Sequence, residues 1–234
     1  MARLLTFLNS ASLVISLTLV ALSTTIFYFT SHGMNLMDSA FPPGKYEWYR
    51  GPHYDPGTKH KITLRYDSAN EGIILAAGAV SVLAGIGGVV GFFLTRKTIV
   101  SAPQRSTLSL ILLPGGAAFI ATLIAIVITS IIFTTDHRGS CYWENGYIPN
   151  NTLTCTRELA ACNIGSFLVS VPWWTLQRAC GETQTGRHLV APLFVAGVLL
   201  FGLGIARVVV AKRSQNEYLE SADERVARLQ REEQ

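Results

Sequence analysis

Leu159 to Gln177 runs LAACNIGSFLVSVPWWTLQ, and its reading decides how many times the chain crosses a membrane. The stretch is uncharged for 19 residues, close to the roughly 20 apolar residues that a spanning helix needs. It also holds Asn163, Gly165, Pro172 and the pair Trp173-Trp174. Tryptophans collect at the membrane–water interface. The reading taken is a short helix carrying Cys162, then an extended or interfacial stretch anchored by Trp173 and Trp174. A fifth crossing is the alternative, and it would put the two termini on opposite sides.

Working outward, four other stretches set the class. Leu4–Met37, Gly72–Thr95 and Ser106–Thr135 contain no Asp, Glu, Lys or Arg, and Leu189–Ala206 is a fourth such run that closes on Arg207. The 234 residues are 49% hydrophobic and only 15% charged, well under the roughly 25% charged of a soluble domain. A chain of this length cannot bury four helices that are apolar on every side, which excludes a soluble core. The first run is also longer than the roughly 7–15 residues of a signal-peptide core. The expected fold is all-α membrane: a four-transmembrane-helix bundle with a small disulfide-stapled extracellular β cap. The crossings are expected at 1–30, 71–95, 107–134 and 188–211. Phe27, Tyr28 and Phe29 would close the first as an aromatic belt, and Pro114-Gly115-Gly116 interrupts the third.

Charge orients the chain. With both termini cytosolic, the inner side carries ten basic and six acidic residues, which is the whole net charge of +4. Arg96, Lys97 and Arg105 in the 96–106 loop face no acid, as the positive-inside rule expects. The basic balance reflects orientation rather than nucleic-acid binding, since no one surface gathers the charge with aromatics.

The two outer loops are not disordered in character. In the first, 31–70, Lys45–Tyr49 and Lys61–Tyr66 read as two strands of a β-hairpin. Gly51-Pro52 and Asp55-Pro56-Gly57 supply turn chemistry between them. The second, 135–187, holds all four cysteines, Cys141, Cys155, Cys162 and Cys180. An even count on one side predicts two disulfides in an oxidising compartment, with three pairings open. Asn145-Gly146 between Cys141–Trp143 and Tyr147-Ile148 reads as a second tight hairpin. Asn150-Asn151-Thr152 is a glycosylation sequon at Asn150.

Helix 2 places Ala77, Ser81 and Gly85 at four-residue spacing, and likewise Ala84 with Gly88 and Gly87 with Gly91. Small residues at this spacing let helices approach closely in lipid, within one bundle or between protomers. Gly202 and Gly204 on helix 4 are candidates to face them. Arg207 is expected to snorkel to the headgroups. No ionisable residue sits at mid-membrane depth, which weighs against proton-coupled transport. Cysteine spacings of 14, 7 and 18 leave no Cys-x-x-Cys redox pair. His53, His60 and Asp55 share a loop without the clustering of a metal site. No catalytic residue, cofactor or metal is expected. The tail, 212–234, reads as a helix whose Leu219, Val226 and Leu229 form a narrow apolar stripe for a partner or a membrane surface.

The layout of two cytosolic termini, a short middle loop and two structured outer loops resembles the tetraspan families: claudin-like proteins and their fungal eisosome-associated relatives, MARVEL proteins and tetraspanins. The segment Cys155–Cys162 also resembles stretches of fungal four-pass proteins. The likeness is one of organisation. The first loop has Trp48 but no cysteine, and Cys180-Gly181 follows Ala179 rather than a second cysteine, so the signatures of claudin-like proteins and tetraspanins are missing. What the resemblance implies is a role in organising membranes. The expected function is therefore a non-enzymatic membrane protein in a plasma or secretory-pathway membrane that self-associates or scaffolds a membrane domain. Tyr46, Trp48, Tyr49, Tyr54, Trp143 and Tyr147 would supply contacts outside the cell. A channel, or an auxiliary subunit of a transporter complex, is the alternative. A cysteine placed at Thr98 should react with a membrane-impermeant thiol reagent only after permeabilisation. Labelling of intact cells would invert the topology.

Overall fold

The computed structural model describes residues 2–49, 59–97, 105–134, 141–144, 150–165 and 173–232. Four helical segments are long and apolar enough to cross a membrane, Leu4–Ala40, Ala69–Leu94, Leu112–Ile131 and Trp173–Val210. They mark an integral membrane protein in contact with lipid. They belong to helices α1 (Ala2–Ala40), α2 (Ala69–Lys97), α3 (Arg105–Thr134), α5 (Trp173–His188) and α6 (Val190–Glu232). A short α4 (Arg157–Leu159) runs into a π-helical turn at Ala160–Ile164. The strands are β1 (Gly44–Tyr49), β2 (Lys59–Asp67), β3 (Cys141–Trp143) and β4 (Thr152–Thr156).

Residues 1–21, 80–120 and 194–234 form one compact unit; 22–79 and 121–193 form a second. In the first unit the helices meet along seams of small side chains. Ser12, Ser16 and Leu19 are buried on α1, and Ser81, Ala84, Gly85, Gly88 and Gly91 on α2. A Cβ at Gly85 would lie 2.6 Å from Val20 and 2.9 Å from the Ser16 carbonyl oxygen. At Gly88 it would lie 3.1 Å from Ser16 Cβ and 3.8 Å from Leu200. Most of the small-residue face of α2 in this unit is thus filled by the chain's own α1 and α6, with Gly87 half-buried. In lipid, where apolar burial drives little association, such close contact supplies the packing. Gly115 backs onto the Phe201 backbone at 3.3 Å, so α6 covers the turn that Pro114 weakens. Gly204 joins the α6 seam, whereas Gly202 has no neighbour within 4 Å and does not face α2. Leu83, Ile86, Val90 and Phe93 point outward. The tail from Lys212 is helical to Glu232 as the continuation of α6.

The second unit holds a four-stranded sheet of order β1-β2-β4-β3. β1 pairs antiparallel with β2, as the hairpin reading expects, and β2 pairs parallel with β4. Alternation sets the faces: Ile62, Leu64, Leu153 and Cys155 turn inward onto Met37 of α1, Phe41 just after it, and Leu176 and Ala179 of α5. Ala77 is buried on the α2 segment of this unit. The turns at Gly51-Pro52 and Asp55-Pro56-Gly57 lie outside the described residues, as do Asn145-Gly146 and Tyr147-Ile148.

Two expectations change, and one strand is added. α1 does not stop at Phe29 but runs to Ala40, because Ile26, Thr30 and Met37 continue its buried stripe and the first proline is Pro42. Cys141–Trp143 pairs antiparallel with Thr152–Thr156, a strand the sequence reading did not mark, in the register Cys141↔Cys155 and Trp143↔Leu153. The alternating threonines Thr152, Thr154 and Thr156 suit a strand, and the Cys141–Cys155 disulfide ties it to β3. The fourth helix begins at Trp173, not at Leu189. A turn falls at Leu189 because Pro192 has no N–H to give the His188 carbonyl, yet Leu189 still donates to Thr185 O at 3.0 Å and the helix carries on.

Gly85→Leu should destabilise the protein by about 1–3 kcal/mol or more, the cost of overpacking. Gly202→Leu should leave stability within about 0.5 kcal/mol. Thermal unfolding in detergent checks the contrast, and equal effects would contradict the assigned faces.

Candidate functional site

The second unit gathers its charged side chains around the end of β4. Thr156 ends the strand and caps α4, its hydroxyl accepting from Leu159 N at 3.4 Å. The next two residues, Arg157 and Glu158, are both buried. A buried guanidinium is costly unless its donors are met. Here Arg157 Nε donates to Asp38 Oδ1 at 3.0 Å and Nη2 to Asp38 Oδ2 at 3.2 Å, a bidentate fork. Its Nη1 donates to Ser68 Oγ at 3.1 Å. The guanidinium carbon also sits 5.0 Å from the centre of the Tyr66 ring, within cation–π range. The Arg157 backbone N–H donates to Glu71 Oε1 at 3.2 Å. One residue thus ties β4 to α1, to β2 and its connection, and to the start of α2.

Glu158 faces the other way. Its carboxylate accepts from Arg187 Nε at 3.1 Å, with Arg187 Nη2 at 3.0 Å, joining α4 to α5. The Cys162–Cys180 disulfide joins the π-helical turn that follows α4 to α5. On α5, Glu182 accepts from Arg178 at 3.0 Å and from His32 Nδ1 of α1. His32 stacks on Tyr28. Tyr66 donates to the Phe41 carbonyl at 2.8 Å, and burial raises its phenol pKa well above the ordinary value. Asp67 Oδ1 accepts from Ala69 N at 2.9 Å and caps α2. Glu71 Oε2 and Asn70 Oδ1 are buried without a partner.

Chemically, this arrangement is a clamp. Arg157 and Arg187 each neutralise a carboxylate from another element, and the hydrogen bonds join parts far apart in sequence. Among the described residues, no group of three His, Cys, Asp or Glu is placed to hold a metal ion.

The sequence singled out other residues. Tyr46 donates to the Pro42 carbonyl at 2.6 Å, packs near Phe41, and its phenol pKa is raised by burial. Trp143 is half-buried against the core. Both pack against the core of the sheet-bearing unit. Trp48 and Tyr49 lie on β1, while Tyr54 and Tyr147 fall outside the described residues. Asn150 is exposed with a positive φ of 65°, a conformation asparagine tolerates, and its N–H donates to the Lys61 carbonyl at 2.8 Å. Trp173 and Trp174 open α5 and are exposed. Arg207 is buried on the seam of α6.

The clamp residues were passed over in sequence because a lone acid or an Arg-Glu pair in a loop carries no motif. Two signals existed. Asp38 ends the longest charge-free run, and Arg157-Glu158 sits between two cysteines.

No family model matches the chain, and no curated protein or solved structure matches it. Membership of the claudin-like, MARVEL or tetraspanin families is therefore without a match behind it, and the likeness remains one of organisation.

Arg187→Met should cost about 3–5 kcal/mol, since it strands the buried Glu158 carboxylate. Arg65→Met, which breaks an exposed pair with Glu144 at 3.5 Å, should cost no more than about 1 kcal/mol. Denaturant unfolding in detergent measures both, and a negligible loss in Arg187→Met would contradict the clamp.

Proposed function

We infer that the protein is a non-enzymatic four-span membrane protein that organises a lateral membrane assembly. Its sheet-bearing unit faces the oxidising side and its termini lie in the cytosol. The observation that carries this reading is the Arg157 clamp. It holds the sheet, the end of α1 and the start of α2 as one piece, which makes the sheet a stiff platform. Two disulfides reinforce the same unit and fit an oxidising compartment. The charged loop at Arg96, Lys97 and Arg105 supports the sidedness.

Copies would associate through outward surfaces. Gly85 and Gly88 are occupied within the chain, so the face of α2 left for a neighbour carries Leu83, Ile86, Val90 and Phe93. A channel is the second reading. The buried hydroxyl oxygens of Ser12 and Ser81 in one unit, and of Ser23 and Thr30 in the other, lack partners and favour it. Polar groups facing a water-filled path would be satisfied there.

Extraction into native-lipid nanodiscs followed by single-particle mass measurement tests the reading. The expected result is a homomeric species larger than one chain that shrinks when Ile86 and Val90 are replaced by Ala. A strictly monomeric protein would contradict it. A fixed complex with a different protein would favour an auxiliary subunit, and ion flux in reconstituted vesicles would favour the channel.

A further inference from the structure

In the first unit, α1 and α6 bring three unsatisfied polar groups to one region. Gly88 of α2 touches both Ser16 and Leu200, which sets these two residues at a common level. Seven residues from Ser16 toward the N-terminus is Asn9, and seven residues beyond Leu200 is Arg207. Seven residues are about two turns, or about 10 Å, and return to nearly the same helix face. The two steps run the same way, because α1 lies antiparallel to the α5–α6 helix: a Cβ at Gly33 would meet Thr183, and one at Gly186 would meet Thr30. Asn9 and Arg207 therefore lie at matching depth on seams that face each other. Ser12, one turn above Asn9, lies on the same seam.

These groups lack partners. Arg207 is only 7% exposed, and its Nη1 is buried without a hydrogen bond. Asn9 Oδ1 and Ser12 Oγ are buried and unpartnered as well. A buried guanidinium in a membrane helix needs a counter-charge, and no carboxylate is paired with it among the described residues. Arg207 lies three residues before Val210, where the apolar segment ends, and exposed Lys212 and Arg213 follow. Arg207 thus sits at the polar end of the apolar span.

We propose that Arg207, with Asn9 and Ser12, forms an intramembrane site for the phosphate of an anionic lipid headgroup. The phosphate oxygen accepts from Arg207 Nη1 and Ser12 Oγ. A headgroup hydroxyl or amine donates to Asn9 Oδ1. Arg207 thus engages one headgroup drawn between α1 and α6 rather than the bulk headgroup layer. Guanidinium suits this role because it stays charged and presents several donors to phosphate oxygens. The site does not depend on which side of the membrane the termini occupy.

The test is native mass spectrometry of the purified full chain in neutral detergent, titrated with short-chain phosphatidylglycerol, with phosphatidylcholine of equal chain length, or with inorganic phosphate. One phosphatidylglycerol should bind saturably, with phosphatidylcholine at least about tenfold weaker. Arg207→Met should weaken phosphatidylglycerol binding at least about tenfold, the loss of one charge-assisted hydrogen bond. Arg207→Lys should recover part of it, and Lys212→Met should change nothing. Should Arg207→Met fail to fold, Asn9→Leu provides the second arm and should weaken binding severalfold. Wild-type lipid binding in folded Arg207→Met, or in Asn9→Leu, would overturn the site. Saturation by inorganic phosphate as tightly as by the lipid would overturn the lipid source, and absence of saturable binding would overturn both.

Discussion

A guanidinium buried at the end of a strand governs the sheet-bearing unit. Arg157 sits where β4 turns into α4, and its side-chain donors reach two other parts of the chain, Asp38 and Ser68. Desolvating such a group is costly, and its attraction to Asp38 repays that cost only with good geometry and further hydrogen bonds. The fork to Asp38, the bond to Ser68 and the Tyr66 ring meet that condition together. The sheet then inherits its place: β2 enters α2 through Ser68, and α1 ends beside Asp38. The two disulfides close the far edge of the sheet and the junction of the π-helical turn with α5. They act on the same unit by a different means, shrinking the unfolded ensemble rather than satisfying charge.

A second constraint rules the first unit. Helices in lipid gain little from burying apolar surface, so they need close backbone approach. The chain provides it by alternating small residues along each seam. Gly85 and Gly88 accept α1, Gly115 and Gly197 let the α3 and α6 backbones approach at Phe201 and Phe119, and Gly116 faces the Phe201 ring. Phe119 and Phe201 stack with centroids 6.0 Å apart. Polar side chains on these seams are tolerated when they bond back to their own helix, as Ser16 does to the Ser12 carbonyl at 2.7 Å. Those that do not, Asn9 and Arg207 among them, stand out for that reason.

Much of the architecture was legible in the amino-acid sequence because membranes enforce a simple rule on length and charge. The absence of charge over Gly72–Thr95 foretells α2, and the alternation of Lys61–Tyr66 foretells β2. The ends of elements were harder. Phe27-Tyr28-Phe29 resembles a membrane boundary, but the stripe of Thr30 and Met37 keeps α1 packed until prolines intervene. Trp173-Trp174 reads as an anchor but begins a helix. Asn145-Gly146 lies outside the described residues, and the strand at Thr152–Thr156, which pairs with Cys141–Trp143, carries no turn signal that marks it. The clamp was not legible at all. Its charges lie between 29 and 119 residues apart, and only the fold reveals that Arg157 meets Asp38.

The most direct test of this account is amide hydrogen exchange on the full chain in nanodiscs, comparing wild type with Arg157→Met. If Arg157 unites the unit, protection should fall together in β4, in the last turns of α1 near Asp38 and in the first turn of α2 near Glu71. A loss of protection confined to residues 156–160, with α1 and α2 unchanged, would contradict it.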